Sequence, residues 1–238
     1  MTLASSIDND VDATRTMIRR ILYGVHTSMP GIVKSFGESN GLLVATIQPA
    51  IQQIDTLDDK TTFRNIDVIP NVVVCIPYSQ TLGLSVTIPI NEGDEGVIHF
   101  AERSIDNWLE KGGVQPPSEP VQPRSHDLSD AIFVPGTINK PATISNYSLD
   151  SIEIRNKDST VAMAVNNTSV SMRAGGESIN MPGDGNIYVT GNIIQTGDHT
   201  SSGTVTGTTG VKTGAGISVD DHIHGGVQTG TGDTGSAQ

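Results

Sequence analysis

The sequence contains few cysteines and few aromatic residues. It contains one cysteine, Cys75, one tryptophan, and an aromatic content of 4%. With a single cysteine no disulfide can form within the chain, so packing and hydrogen bonds must hold the fold. Cys75 lies in the apolar run Val72–Ile76, which predicts a buried, unreactive thiol in a strand.

Basic residues are scarce as well. The chain has 14 Lys and Arg against 26 Asp and Glu, a formal net charge of −12. Because affinity for nucleic acid depends on neutralising phosphates, we expect no nucleic-acid partner. No apolar run is long enough to cross a bilayer as a helix, and we therefore expect no membrane-spanning helix.

Aromatic residues and glycines are concentrated in different parts of the chain. Seven of the nine aromatic residues precede residue 136, and 16 of the 26 glycines follow residue 174. The first part can therefore build an ordinary core, whereas the last third cannot build one alone. We predict a mainly β protein with an N-terminal helical segment (1–25), an OB-fold domain with its connector (26–135), a shaft (136–214) and an apex (215–238).

The N-terminal half shows helical and then strand periodicity. Apolar residues from Val11 to Leu22 recur at steps of three and four, which predicts a helix starting near the acidic residues 8–12 and ending at Gly24. Its apolar stripe must cover its own domain or a neighbouring subunit. The five strands predicted next favour an OB-type barrel, with a β-sandwich fragment as the alternative; they are Gly31–Phe36, Leu42–Ile51, Val72–Tyr78, Leu84–Ile88 and Glu95–Phe100. A short helix at Ser104–Lys111 and an extended proline-rich connector follow.

From about residue 136 onward, apolar and polar residues alternate in short segments. Five of these are predicted strands, each with one apolar face: Ser151–Arg155, Val161–Val165, Ser169–Arg173, Ser178–Met181 and Asn186–Val189. One such ribbon buries too little apolar surface to offset roughly 1–2 kcal/mol of backbone entropy per ordered residue. We therefore predict that three chains intertwine into a β-helical shaft. Disorder is the alternative for residues 197–216, which are rich in Gly, Thr and Ser.

Two histidines near the end, His222 and His224, are separated by one residue. In a strand they would face the same side. One chain supplies two imidazoles, but three chains around an axis would supply six, and a six-nitrogen site favours iron over zinc. The alternative is a solvated histidine pair in a flexible tail. We predict no catalytic residues.

Several motifs resemble the central spike proteins of contractile-tailed bacteriophages. They are Val25–Val33, Pro89–Gly96, Ala101–Trp108, Arg124–Ala131 and, at the C-terminal end, His222–Gln228. The resemblance implies a homotrimer at the tail tip and baseplate of the virion. The N-terminal half of the chain would contact the baseplate hub and tail tube proteins. His222 and His224 of three chains would hold one iron ion per trimer.

The same resemblance implies a mechanical role without enzyme activity: sheath contraction would drive the trimer through the host outer membrane. Larger relatives carry a lysozyme domain between barrel and shaft, for which the connector Lys111–Pro141 is too short.

A trimeric receptor-binding tail fibre and a polysaccharide-degrading tailspike remain as alternative functions. Binding of single-stranded nucleic acid by the barrel is disfavoured, because the region through residue 135 has 17 acidic and 9 basic residues.

Overall fold

Two units make up the chain in the computed structural model, Met1–Tyr147 and Ser148–Gln238. The structure describes residues 3–57, 60–113, 115–136 and 139–212. The first unit contains α1 (Leu3–Tyr23), β1 (Ser28–Ser39), β2 (Leu42–Pro49), β3 (Gln53–Leu57), β4 (Lys60–Arg64), β5 (Ile69–Val74), β6 (Tyr78–Ser79), β7 (Leu84–Ser85), β8 (Glu95–Phe100), α2 (Asp106–Lys111) and β9 (Ala131–Pro135). The second contains β10 (Ile152–Arg155), β11 (Val161–Val165), β12 (Val170–Ala174), β13 (Glu177–Met181) and β14 (Tyr188–Thr190).

Five strands of the first unit close into a barrel in the order β1-β2-β5-β9-β8. The β5–β9 pair is parallel and the other pairs are antiparallel. This is the Greek-key order of an OB-type barrel. Strand β1 can serve two neighbours because it is long: Ser28–Ile32 pair with β8, and Gly31–Ser39 pair with β2 across a bulge between Val33 and Ser35.

Alternate residues of the barrel strands point inward and form one core. Phe133 lies at its centre with no exposed surface, and a glycine makes room for it: a Cβ on Gly96 would overlap the Phe133 ring and the Val134 carbonyl oxygen. The buried cluster consists of Val33, Ala45, Ile47, Ile69, Val72, Val74, Ile98, Phe100, Ala131 and Phe133. The barrel is therefore filled by side chains and has no interior channel in the part of the chain that is described.

Four of the five predicted barrel strands are present, but the one predicted at Val72–Tyr78 is shifted to Ile69–Val74. The assignment of Leu84–Ile88 to the barrel is wrong. Only Leu84–Ser85 is a strand, and it pairs with β6 in a separate hairpin. The closing strand is β9, which lies beyond the proline-rich connector and pairs with both β5 and β8. The hairpin of β3 and β4 was not predicted either.

The prediction for Cys75 is also wrong. The inward positions of β5 are taken by Val72 and Val74, so the next residue faces outward and its thiol is exposed. The Cys75 backbone N–H still donates to the Phe133 carbonyl at 2.8 Å.

Both predicted helices are present. Helix α1 begins at Leu3, earlier than its apolar stripe predicts, and the Gly24 N–H donates to the Ile21 carbonyl at 3.1 Å just after its end. Every residue from Val11 to Tyr23 is exposed. No described helix is long and apolar enough to cross a membrane.

A buried carboxylate fastens the connector to the barrel. Asp130 is fully buried and accepts hydrogen bonds from Arg124 Nε at 2.7 Å and from the Ile105 N–H at 3.1 Å. The Arg124 Nη2 also donates to Asp106 at 2.7 Å. The hydrogen bond to Asp130, and then that to Asp106, raises the pKa of Arg124. Because the charge of Asp130 is matched by a fork of donors, its burial is tolerated.

The second unit is an antiparallel meander in which β10 to β14 pair in chain order. All five predicted strands are confirmed within one or two residues. Asparagine side chains hold two of the connecting turns: Asn156 Oδ1 accepts the Val161 N–H at 3.0 Å, and Asn166 Oδ1 accepts the Ser169 N–H at 2.8 Å.

Replacing Asp130 by Ala should lower the free energy of unfolding of the barrel by about 3 kcal/mol, because Arg124 and the Ile105 N–H lose a buried partner. The matched control is Glu102→Ala, which removes an exposed ion pair with Arg103 and should cost less than about 1 kcal/mol. Urea unfolding followed by the fluorescence of Trp108, the one tryptophan of the chain, measures both. Equal costs would contradict the anchoring role of Asp130.

Gly96→Ala should destabilise the barrel by about 1–3 kcal/mol, since the new methyl group meets Phe133 and the Val134 carbonyl. Gly37→Ala is the control: it lies in β1, and a Cβ there meets nothing within 4 Å. Its effect should stay within about 0.5 kcal/mol. Thermal unfolding compares the two variants, and a tolerated Gly96→Ala would show that Phe133 can move.

Candidate functional site

The two faces of the five-stranded sheet differ in an unusual way, because the apolar face is the exposed one. Strands β10 and β11 present alternating exposed and covered positions. Ile152 and Ile154 are 80% and 70% exposed, whereas Ala162 and Ala164, on the other face, are buried. The large apolar side chains of this face are between 36% and 80% exposed.

Strand register aligns the apolar side chains into rows across the sheet. The longer row crosses all five strands and consists of Ile154, Met163, Met172, Ile179 and Val189. A second row crosses four strands and consists of Ile152, Val165, Val170 and Met181. Directly opposed residues on one face pack against each other. The face is therefore one continuous apolar surface rather than scattered exposed residues, and surfaces of this kind mark interaction sites.

The opposite face is closed by its own polar side chains. Arg155 Nε lies 3.2 Å from Glu153 Oε2, with side chains only 9% and 13% exposed, and Arg173 Nη2 lies 3.4 Å from Glu153 Oε1. These three side chains stand opposite the two buried alanines in the strand register. Glu153 is thus paired with two arginines of its own chain on this face.

The chain beyond β14 continues the apolar surface. Ile193 and Ile194 line a groove of about 750 Å³ together with residues of the longer row. Both are highly exposed. The alternation in the sequence predicts one apolar face on each strand, but not the alignment in rows. The sequence analysis does not predict that Ile193 and Ile194 extend the apolar surface. Two adjacent isoleucines shortly after Gly191 could have indicated it.

The predicted metal ligands His222 and His224 lie outside the described residues. Among the residues that are described, no group of three or more His, Cys, Asp or Glu side chains could hold a metal ion. The His26 ring packs on the Phe100 ring with centroids 5.4 Å apart. The backbone N–H of His26 donates to the His126 carbonyl at 3.3 Å. His199 is exposed. His26 is thus part of the packing around the barrel, and His199 lies at the surface.

Two family models match the chain, one at each end. The model described as the phage protein Gp138 N-terminal domain matches residues 29–136, which include every strand of the barrel except the first residue of β1. The model described as the GpV apex motif matches residues 216–238, which include His222 and His224. No curated protein matches the chain. The barrel and the apex motif together place the chain with the GpV-like central spike proteins of phage baseplates, at the tail tip of the virion.

Proposed function

We propose that the protein is a homotrimeric central spike that mechanically punctures the host outer membrane when the tail sheath contracts. The observation that carries this proposal is the uncovered apolar face of β10–β14. A single chain cannot keep two aligned rows of Ile, Val and Met in water at low cost, because burial of apolar surface contributes roughly 25 cal/mol per Å².

Three copies around one axis would solve this problem for every chain at once. Each apolar face would turn towards the axis, and the polar face, on which Glu153 pairs with Arg155 and Arg173 of the same chain, would lie away from it. The edges of each sheet would also lie next to neighbouring copies, which protects them from unwanted pairing. Cyclic symmetry brings identical surfaces together in this way. The β-helical winding of the predicted shaft is one means of closing such a trimer.

A metal ion would close the tip. In a trimer, His222 and His224 would contribute six imidazole nitrogens, a donor set that suits iron and is too large for a structural zinc site. The match of the apex motif to residues 216–238 supports this assignment. The ion would act as a clamp between chains. The residues of this chain would hold it by nitrogen ligation alone, and a full coordination shell leaves no open position for a substrate.

The mechanical role follows from stiffness and charge. A closed barrel filled by Phe133 and its neighbours can transmit force from the baseplate hub and tail tube, which we propose it contacts. The net charge of −12 gives the spike no attraction to anionic envelope surfaces, so entry would depend on the contraction and not on adhesion. We propose no catalytic activity, and release of sugars from host polysaccharide by the purified protein would overturn that and favour a degrading tailspike.

Replacing Ile179 by Asp should break the trimer, because three carboxylates would be buried in the apolar interface at a cost of several kcal/mol each. The control is Asn180→Asp, the neighbouring residue on the polar face of the same strand. Analytical ultracentrifugation should find Ile179→Asp as a monomer and Asn180→Asp as a trimer. A trimeric Ile179→Asp would show that the apolar face is not the interface.

The double substitution His222→Ala with His224→Ala should remove the metal and leave the trimer intact, because the sheets supply most of the buried area. Elemental analysis should give about one iron per three chains before the change, as six nitrogens per ion require, and none after it. His199→Ala, at an exposed histidine, is the control and should retain the metal. Loss of the trimer in the double variant would instead show that the ion is the main clamp, and retained iron would exclude these ligands.

A further inference from the structure

Helix α1 carries a second apolar surface, which is exposed in the part of the chain that the structure describes. All residues from Val11 to Tyr23 are exposed. Ile18 and Ile21 are 51% and 59% exposed. A helix of 21 residues with an uncovered stripe is marginal in water, because helices in proteins depend on packing of their apolar face. The described residues of the chain do not cover the stripe, and packing against a partner would stabilise the helix.

The spacing of the stripe specifies the kind of partner. Val11, Thr14, Ile18 and Ile21 follow one another at steps of three, four and three, and the sequence extends the same pattern back to Ile7 and Ala4. These are the a and d positions of three heptads, with Ala4, Val11 and Ile18 at a, and Ile7, Thr14 and Ile21 at d. A strict seven-residue repeat is typical of helices that wind around copies of themselves.

The residue types at these positions favour three strands. Isoleucine at both a and d shifts the preference from two-stranded to three- or four-stranded coiled coils, and Ile18 and Ile21 occupy those two positions. Met17 and Leu22, at the flanking g and e positions, are 65% and 61% exposed. Their side chains widen the apolar stripe beyond the narrow seam of a dimer.

Charges at the same flanking positions fit a parallel arrangement. The sequence places Asp10 at g and Arg15 at the following e position, which face each other on adjacent helices when these run parallel and in register. Within one chain, Arg15 Nη1 lies 3.4 Å from Asp12 Oδ1, with both side chains largely exposed. An exposed pair of this kind contributes little, so a partner helix can recruit Arg15 easily.

We propose that three copies of α1 pack against each other as a parallel coiled coil at the N-terminal end of the protein. The occupant of the stripe is thus the same helix from two other copies of this chain. The proposal rests on the proposed function only for the number of copies and their common direction, which a cyclic trimer imposes. The apolar stripe of α1 is an observation separate from the apolar sheet faces.

Disulfide trapping in the full-length chain tests this arrangement. In a Cys75→Ser background, which removes the exposed native thiol, Ile18→Cys places a thiol at an a position near the proposed axis. Thr16→Cys, at the outward f position, is the matched control. Mild oxidation should link two of every three Ile18→Cys chains into dimers, at a rate at least about tenfold above that of Thr16→Cys, because neighbouring thiols on the axis have a high effective concentration.

Sedimentation of the reduced variants distinguishes failure of the coiled coil from failure of the trimer. Trimers in which Ile18→Cys links no faster than Thr16→Cys would overturn the coiled coil while leaving the trimeric spike intact; the stripe would then dock on another protein. Monomers that link at neither position would overturn both proposals.

Discussion

An extended sheet whose apolar side faces water is unstable by itself, because each exposed Ile, Val or Met side chain forgoes the burial that offsets the entropy of ordering its strand. The face formed by Ile154, Met163, Met172, Ile179 and Val189 is such a surface. The strands are well paired, and their turns are held by Asn156 and Asn166. Among the described residues the second unit has no further layer on its apolar face, which is why we propose that assembly stabilises it.

Polar groups present the opposite picture. Asp130 is matched by Arg124 and the Ile105 N–H inside the barrel unit, and Glu153 is matched by Arg155 and Arg173 on the outer face of the sheet. These least exposed carboxylates are thus paired within one chain, while the apolar surfaces on the sheet and on α1 are exposed. This division fits the proposed trimer, in which the apolar surfaces would contact other copies of the chain.

The sequence predicts the elements better than it predicts their partners. Strict alternation in Val161–Val165 and Ser169–Arg173 located the strands of the sheet, because the side-chain period of a strand is visible in a few residues. The sequence does not predict the closing barrel strand β9, because its pairing with β5 and β8 spans a long connector and no local pattern indicates such a contact.

The orientation of single side chains is also hard to predict. The prediction for Cys75 fails because an apolar run does not reveal which positions face inward; Val72 and Val74 take the core positions. The alignment of apolar residues into rows depends on register, which turn geometry sets. His222 and His224 remain a prediction.

Native mass spectrometry of the unmodified protein distinguishes a trimer from a monomer. We expect a species of three times the chain mass of 25.0 kDa, held together by the apolar sheet faces and persisting at micromolar concentration. A species of 25.0 kDa under the same conditions would contradict it, because a stable monomer would have to keep the apolar face of β10–β14 in water.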